Sequence, residues 1–484
     1  MLFNSLSYLI FFAVTMLGAK LFTGVRWQHR FLLVASVYFY ASWNAFLVLL
    51  ILVSAVADFW IARFMAAATS PGRRRVLLVV SLSSNLGLLG FFKYTNFALE
   101  TFFTVHQWAG WHWLQHAPHL NIILPIGISF YTFQTLSYTV DVYRGKLAPI
   151  RSFETFMLFI SFFPQLVAGP IVRATDFIPQ LQKRAEVLPQ NLKIGFSLFL
   201  IGLVKKVVFA DTLGLFVEKV YSAPGGFGSL PIMLATAAYA VQIYCDFSGY
   251  TDMAIGSAVA LGFWLPENFH YPYFAASVTE FWQRWHISLS TWLRDYLYIP
   301  MGGNRHGAWR TYANLLTTML LGGLWHGAKW TFIVWGCYQG ILLAVHRFYA
   351  GRVESNPRLR WLAGLREKAA FRCLCVAGTM YFVLIGWIFF RAQNFGDLQH
   401  LLTKFIFFDG FHRFGGVRLR EALSVVLLVI AFAICHGISY RVGGIGRRLG
   451  AAGSGRWCVT VTGGLLLLLL LAPSRAPEFI YFQF

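Results

Sequence analysis

The sequence predicts an all-α, polytopic integral membrane protein with about eleven transmembrane helices, together with re-entrant and interfacial helices. Two observations carry this prediction: the composition and the length of the apolar runs. Of the 484 residues, 57% are hydrophobic and 12% are charged, whereas a soluble domain carries about 25% charged residues. A globular core cannot hide this much apolar surface, so we expect lipid to surround much of the chain.

The apolar runs mark the helices in chain order. They cover residues 6–21, 31–65, 76–103, 122–142, 230–263, 315–345, 371–390, 423–438 and 459–471. Several runs are longer than the roughly 20 residues that cross the hydrocarbon core, so some of them hold two helices or a re-entrant piece.

The basic residues predict the side of the membrane on which each loop lies. Clusters of Lys and Arg hold short loops in the cytoplasm. Such clusters occur at 73–75, 144–151, 183–184 and 347–372. The loops at 106–119 and 221–229 contain no Lys or Arg and are expected outside. Topology therefore explains the net charge of +21, and we expect no nucleic-acid partner.

No linker or soluble domain interrupts this pattern, so residues 1–484 are predicted to form one membrane domain with a motif core at 242–336. Glycine and polar residues interrupt the apolar helices at 161–173, 242–256 and 319–330. At membrane depth, a broken helix survives only where protein or water satisfies the freed backbone groups. We therefore expect these three stretches to wall an internal cavity.

The stretch EFWQRWHISLSTWLRDYLYIP, residues 280–300, combines polar residues with helical spacing. Ser277 and Glu280 match a capping box at its start. At 3.6 residues per turn, the apolar stripe consists of Trp282, His286, Leu289, Leu293 and Tyr296, flanked by Trp285 and Trp292. The opposite face consists of Arg284, Ser288, Thr291 and Asp295. The pattern predicts a continuous helix that lies in the interface or caps a cavity, with His286 pointing inward.

His286 has a structural and a functional interpretation. It could simply hydrogen-bond a neighbour, and the tryptophans could form an interfacial belt. An ionisable group that faces the interior of a helix bundle is, however, a functional candidate by default. The functional interpretation is slightly favoured for His286, and the structural one for the tryptophans alone.

A second histidine, His326, stands inside an apolar run, with Gly322 and Gly323 before it and Gly327 after it. Glycines on both sides let another chain or a substrate approach the imidazole closely. A buried, uncharged imidazole can accept a proton at neutral pH. The alternative is a core histidine that is satisfied by a carbonyl freed at the glycines, and periodicity alone leaves both open.

Other chemistries have weaker support. The chain has no GxSxG, Walker, HExxH or dinucleotide motif, and its six cysteines include no CxxC pair. A metal site is conceivable at His106, His112, His116 and His119. Interleaved tryptophans favour an interfacial aromatic loop there, so we expect no metal. Lys205 and Lys206 lie among apolar residues and are expected to face a cavity, with Asp211 as a candidate partner.

Several stretches resemble the membrane-bound O-acyltransferase (MBOAT) family, and within it the bacterial alginate O-acetyltransferase branch. Residues 280–336 contain its RWHIS and WHG motifs, which are specific when found together. Further matches are FKYTNF, LPIGISFYTFQTLSYTVDVYRG, FFPQLVAGPIVR, YCDFSGYTDMAIG and the closing FIYFQF. The resemblance runs nearly end to end.

The resemblance implies roles for particular residues. It implies that His326 is the catalytic histidine, that His286 is the second active-site histidine, and that the helices surround a central tunnel that narrows near His326. The candidate substrate-binding residues lie in the matched stretches and are Trp325, Trp285, Trp282, Arg284, Asp246 and Asn304.

The same resemblance implies acetyl transfer in a bacterial inner membrane. The expected donor is acetyl-CoA or another acetyl thioester from the cytoplasm, with no bound cofactor. His326 would be the general base, and His286 or a nearby polar group would stabilise the oxyanion. The expected partners are membrane lipids, a periplasmic SGNH-type acetyltransferase and the machinery that makes and exports an exopolysaccharide. The alternatives are D-alanyl transfer from a carrier protein to a cell-envelope polymer, and a polytopic transporter or flippase of sugar or acyl intermediates.

Overall fold

A computed structural model describes residues 1–111, 114, 116–167, 169–365, 368–411, 413–472 and 479–480. Within these ranges the protein is helical and contains no strand. The all-α prediction is therefore confirmed.

The α-helices are numbered in chain order. They are α1 (Leu6–Leu21), α2 (Val25–Ala41), α3 (Leu47–Ala67), α4 (Pro71–Trp108), α5 (Ile128–Tyr143), α6 (Phe153–Ser161), α7 (Phe163–Leu166), α8 (Ala174–Phe177), α9 (Pro189–Val204), α10 (Thr212–Tyr221), α11 (Ser229–Ala260), α12 (Val278–Arg284), α13 (Ile287–Leu293), α14 (Gly307–His326), α15 (Trp330–Ser355), α16 (Arg360–Leu365), α17 (Ala369–Arg391), α18 (Phe395–Phe407), α19 (Leu419–Val442), α20 (Ile445–Ala451) and α21 (Ser454–Leu471). Two π-helical segments, Lys205–Asp211 and Arg294–Tyr298, join α9 to α10 and extend α13.

Six of the described helices are long and apolar enough to cross a membrane, namely α3, α4, α11, α17, α19 and α21. Their surfaces fit lipid rather than water. Leu469 and Leu470 on α21, for example, are each 80% exposed, and water would make such exposure unfavourable. The total of about eleven crossings stays a prediction.

Two long apolar runs contain two helices each, as expected. The run at 31–65 divides into α2 and α3, and the run at 315–345 divides into α14 and α15. The helix break expected at 242–256 is wrong, because α11 continues through it. Gly249 lies there because a Cβ would come within 2.6 Å of the Gly202 carbonyl oxygen on α9. The glycine permits close helix packing and does not end the helix.

The chain forms two compact units. Unit 1 comprises Met1–Phe199 and Met253–Pro266. Inside it, the buried Asp58 carboxylate of α3 accepts hydrogen bonds from two α4 side chains, Ser81 Oγ at 2.6 Å and Asn85 Nδ2 at 2.8 Å. Such polar contacts tie apolar helices together where the hydrophobic effect does not act between them.

Unit 2 comprises Leu200–Asp252 and Glu267–Phe484. Its core is rich in aromatic rings, and Trp285 and Trp335 are among its largest fully buried side chains. Both predicted active-site histidines, His286 and His326, belong to this unit.

Candidate active site

His326 is the last residue of α14 and lies in an aromatic cage. Its ring centroid is 5.0 Å from that of Trp325, 5.2 Å from that of Trp335 and 5.2 Å from that of Phe390, all edge-on. The side chain is buried. Since the carbonyl end of a helix favours positive charge, the end of α14 is a suitable place for an imidazole that takes up a proton.

The glycines around His326 serve the packing of α14 against α15. A Cβ at Gly323 would lie 2.3 Å from the Phe332 carbonyl oxygen, and one at Gly327 would lie 2.2 Å from the Phe332 ring. On α15, a Cβ at Gly336 would lie 2.4 Å from the Met319 carbonyl oxygen. The glycines were predicted to let another chain or a substrate approach closely. The element that approaches them is instead the next helix of the same chain, α15.

His286 lies between two short helices, so the continuous helix predicted across 280–296 is wrong. Helix α12 ends at Arg284 and α13 begins at Ile287, and His286 has a left-handed backbone with φ 44° and ψ 55°. Non-glycine residues seldom adopt this conformation, and such strain is typical of functional sites. The start of α12 is as predicted, because the Ser277 side chain accepts a hydrogen bond from the Glu280 N–H.

The helix breaks because the loop at 268–270 takes over its backbone hydrogen bonds. The His270 N–H donates to the Arg284 carbonyl at 2.9 Å, and the Ile287 N–H donates to the Asn268 carbonyl at 2.9 Å. These bonds satisfy groups that a continuous helix would pair internally. Helical periodicity carries no information about this loop.

Asn268 is the site residue that sequence reasoning missed. Its Oδ1 lies 3.1 Å from His286 Nδ1, 3.2 Å from the Ser288 backbone nitrogen and 2.9 Å from Ser288 Oγ. The residue is buried. The available signal was the polar pair Glu267 and Asn268 in the PENF stretch before the capping box.

Trp325 joins the two histidines. Its ring centroid is 5.9 Å from that of His286 and 5.0 Å from that of His326, with the rings nearly perpendicular in both contacts. His286 also packs edge-on against Phe247, with ring centroids 4.7 Å apart. The fold therefore brings both predicted histidines and one predicted substrate-binding residue together.

The other two predicted tryptophans lie one layer away. The Trp282 Nε1–H donates to Gln339 Oε1 at 3.2 Å, and its ring contacts Trp335, a wall of the His326 cage. Trp285 is buried against Trp387 and Phe269, with ring centroids 4.8 and 5.0 Å apart. Their substrate-binding role stays a prediction.

The predicted polar substrate-binding residues have other surroundings. Arg284 forms an ion pair of 2.6 Å with Glu280 on its own helix. Asn304 is exposed in the loop that precedes α14. Asp246 is buried, and its carboxylate binds Lys206 Nζ at 2.6 Å and the Ile480 N–H at 2.7 Å. Their binding role also stays a prediction.

Lys206 has the predicted partner, Asp211, at 2.7 Å, and Asp246 as a second one. Lys206 and Asp211 are five positions apart, and the π-helical segment Lys205–Asp211 places residues with this spacing on the same face. Lys205 instead pairs with Asp252 at 2.7 Å. Carboxylates thus neutralise the buried Lys206 and the partly buried Lys205, as charges removed from water require.

The closing FIYFQF motif is described at its first two residues, and 481–484 lie outside the described residues. The Phe479 ring packs on Tyr250, with centroids 4.5 Å apart, and more distantly on Phe247 at 6.5 Å. Because Phe247 also contacts His286, the described end of the chain packs into the surroundings of the site.

The conceivable metal site is not formed by the described histidines. His112 lies outside the described residues. His106 is buried beside Trp111, with ring centroids 5.9 Å apart, whereas His116 and His119 are exposed. Over the described part of the chain, no group of three His, Cys, Asp or Glu side chains has the arrangement of a metal site.

A family model for the membrane-bound O-acyltransferase family matches residues 36–387. The chain belongs to this family. It is therefore a membrane-embedded acyltransferase, which decides for an enzyme over the transporter alternative. Both histidines of the site lie inside the matched residues.

Named relatives share much of the chain with this acyltransferase. The Pseudomonas putida protein named probable alginate O-acetylase AlgI is 38% identical over the full length of both chains. The Helicobacter pylori peptidoglycan O-acetyltransferase is 37% identical over 78% of this chain and 74% of its own. The Bacillus subtilis teichoic acid D-alanyltransferase is 28% identical over 58% of this chain and 71% of its own.

Proposed function

We propose that this acyltransferase moves acetyl groups from a cytoplasmic thioester across the bacterial inner membrane for O-acetylation of an exopolysaccharide, alginate or a similar cell-surface glycan. The observation that carries the proposal is that His286 and His326 both contact the ring of Trp325 in a buried aromatic site. Full-length identity with an AlgI protein supports an acetyl group and a polysaccharide as the reactants.

His326 is the proposed general base. As the hydroxyl oxygen of the acceptor attacks the carbonyl carbon of the thioester, His326 takes the hydroxyl proton. The new C–O bond forms, the C–S bond breaks, and the imidazolium returns the proton to the departing thiolate, so the products are an ester and a thiol. A general base in position accelerates such a step by about 10²–10⁴-fold.

The cage around His326 supports this chemistry in two ways. The rings of Trp325, Trp335 and Phe390 fix the imidazole and exclude water, which would otherwise hydrolyse the thioester. The end of α14 stabilises the positive charge that develops on the ring. The site needs no bound cofactor for this step, because the thioester supplies the activated acyl group.

The direction of transfer follows from the topology proposed for the loops. Basic loops on the cytoplasmic side would attract the phosphates of acetyl-CoA, the simplest donor. Exopolysaccharides are modified outside the membrane, so a second protein has to complete the delivery. We propose a periplasmic SGNH-type acetyltransferase as that partner, working with the machinery that makes and exports the polymer.

D-alanyl transfer is the alternative that one observation favours, since a teichoic acid D-alanyltransferase is among the relatives. Its identity to this chain is lower and covers less of it than that of the acetyltransferases. Neighbouring genes separate the two: polysaccharide synthesis genes support acetylation, whereas a carrier protein and its ligase support D-alanylation.

The test is the amount of ester-linked acetate on the cell-surface polysaccharide, compared between wild type and His326→Ala at equal membrane abundance. His29→Ala is the control, because His29 is also buried but belongs to unit 1. We expect acetate to disappear in His326→Ala while polymer export continues, and to persist in the control. Unchanged acetate in His326→Ala, or failed export, would refute the mechanism.

A further inference from the structure

The contacts around Asn268 determine which nitrogen of His286 carries its proton. Three donors converge on one atom of the Asn268 amide, and one of them is the Ser288 backbone N–H at 3.2 Å. A backbone N–H can only donate, so the atom that it approaches is the amide oxygen, not the nitrogen. Because the Ser288 N–H is an obligatory donor, it establishes how the Asn268 amide is oriented.

The same oxygen lies 3.1 Å from His286 Nδ1. A carbonyl oxygen can only accept, so Nδ1 has to donate and therefore carries a proton. His286 is fully buried, and burial lowers the pKa of its imidazole, which keeps the ring neutral at neutral pH. A neutral ring has one proton, so Nε2 carries a lone pair.

We propose that Asn268 is a positioning residue that holds His286 with its proton on Nδ1 and so makes Nε2 a hydrogen-bond acceptor during acyl transfer. The role of His286 in the reaction rests on the proposed function, but the protonation state of its ring can be measured independently of that function. A neutral imidazole in this state cannot donate from Nε2. His286 therefore accepts a hydrogen bond from a substrate group at Nε2 and does not stabilise the oxyanion by donation, while His326 takes the hydroxyl proton.

The backbone around His286 supports the same role. The left-handed conformation at φ 44° is held by the hydrogen bonds from 268 and 270 to the segment on either side of His286. The loop at 268–270, the break between α12 and α13 and the Asn268 amide thus all position the imidazole of His286. An ordinary core histidine needs one hydrogen bond and no strained backbone.

Two substitutions of Asn268 separate positioning from stability. Asn268→Leu removes the acceptor, so nothing selects the Nδ1 proton. Asn268→Asp keeps an oxygen for all three donors, and it loses no contact within the described residues, since Nδ2 has no hydrogen-bond partner there. Asn314→Leu is the matched control: Asn314 is also buried, and its amide donates to the Met301 and Gly303 carbonyls.

The activity assay uses inverted membrane vesicles from producing cells, supplied with radiolabelled acetyl-CoA, over a range of pH. At equal folded amounts, Asn268→Leu should lower transfer on the order of 10- to 100-fold at every pH, as loss of a histidine's orienting partner does elsewhere. Asn268→Asp should recover most of the activity at high pH, and Asn314→Leu should keep the wild-type pH profile. Asn268→Leu within about twofold of wild type, or Asn268→Asp no better than Asn268→Leu, would overturn the role.

The negative charge of the carboxylate in Asn268→Asp determines the direction in which its pH–activity profile shifts. An adjacent carboxylate raises the pKa of His286, so the neutral, hydrogen-bond-accepting form of its ring exists only above a higher pH. The acid side of the Asn268→Asp profile should therefore lie at higher pH than the wild-type one. If Asn268→Leu does not fold, Asn268→Asp still carries this test, and a profile identical to wild type would count against the proposal.

A spectroscopic measurement distinguishes this proposal from the proposed function. In protein labelled with ¹⁵N at histidine, the difference spectrum between wild type and His286→Asn isolates the His286 ring. We expect a protonated Nδ1 and an unprotonated Nε2, whether or not the donor is acetyl-CoA. A proton on Nε2 would overturn the proposal even if His326→Ala abolishes acetylation.

Discussion

His286 and His326 contact the same tryptophan, Trp325, yet their positions in the fold differ. His326 ends a helix of 20 residues, and three aromatic rings confine it. His286 lies at a strained break between two helices of seven residues, and a side-chain amide orients it. Aromatic rings pack against both imidazoles, and a side-chain amide also orients His286.

The difference indicates what each ring requires. Packing restricts where a ring points, but it does not select which nitrogen is protonated. A hydrogen bond to a group that can only accept selects the proton position as well. The contact with Asn268 Oδ1 therefore gives His286 a defined hydrogen-bond-accepting atom, Nε2, and the cage of His326 provides confinement and exclusion of water.

The largest expected effect tests whether the two histidines act together. We compare His326→Gln, His286→Asn and the double variant; asparagine tolerates the left-handed backbone at 286. Each single change should lower acetyl transfer by about 10²–10⁴-fold. The double variant should transfer acetyl groups about as fast as the less active single variant, because the effects of removing residues that act as a unit do not add. Transfer rates in vesicles at equal folded amounts measure this. Losses that multiply would mean that the two rings act independently.

A smaller effect, on stability, tests confinement by packing. Gly323→Ala places a Cβ 2.3 Å from the Phe332 carbonyl oxygen, so α14 and α15 must move apart at a cost of about 1–3 kcal/mol. The adjacent Gly322→Ala is the control, since a Cβ there meets only Leu293 Cδ1 at 3.3 Å. Thermal unfolding in detergent should show a lower midpoint for Gly323→Ala alone. Equal losses in the two variants would contradict the packing role.

The smallest expected effect concerns Ser288. Ser288→Ala removes the hydroxyl that lies 2.9 Å from Asn268 Oδ1, at a cost of about 0.5–1.5 kcal/mol of stability. The bonds from His286 Nδ1 and the Ser288 N–H remain, so transfer activity should stay close to wild type. A loss as large as that of Asn268→Leu would show that the hydroxyl, and not the histidine contact, is the important partner of Asn268.

Local sequence signals were sufficient for parts of the site. Ser277 begins α12 as its position in the capping box predicted, and Lys206 pairs with Asp211 as proposed. The break at His286 was not predictable, because apolar spacing alone continues through it. The reason lies in residues 268–270, which compete successfully for the backbone groups of Arg284 and Ile287.

The sequence by itself determined the class of this protein: composition and apolar runs require lipid around an all-helical chain, and the histidine motifs mark the acyltransferase family. Only the tertiary structure decided that Gly323 serves helix packing, that Lys206 also binds Asp246, and that Asn268 orients His286. Periodicity reports which face of one element is apolar. It cannot report which polar group from elsewhere in the chain will satisfy a buried ring, because that depends on how the elements pack.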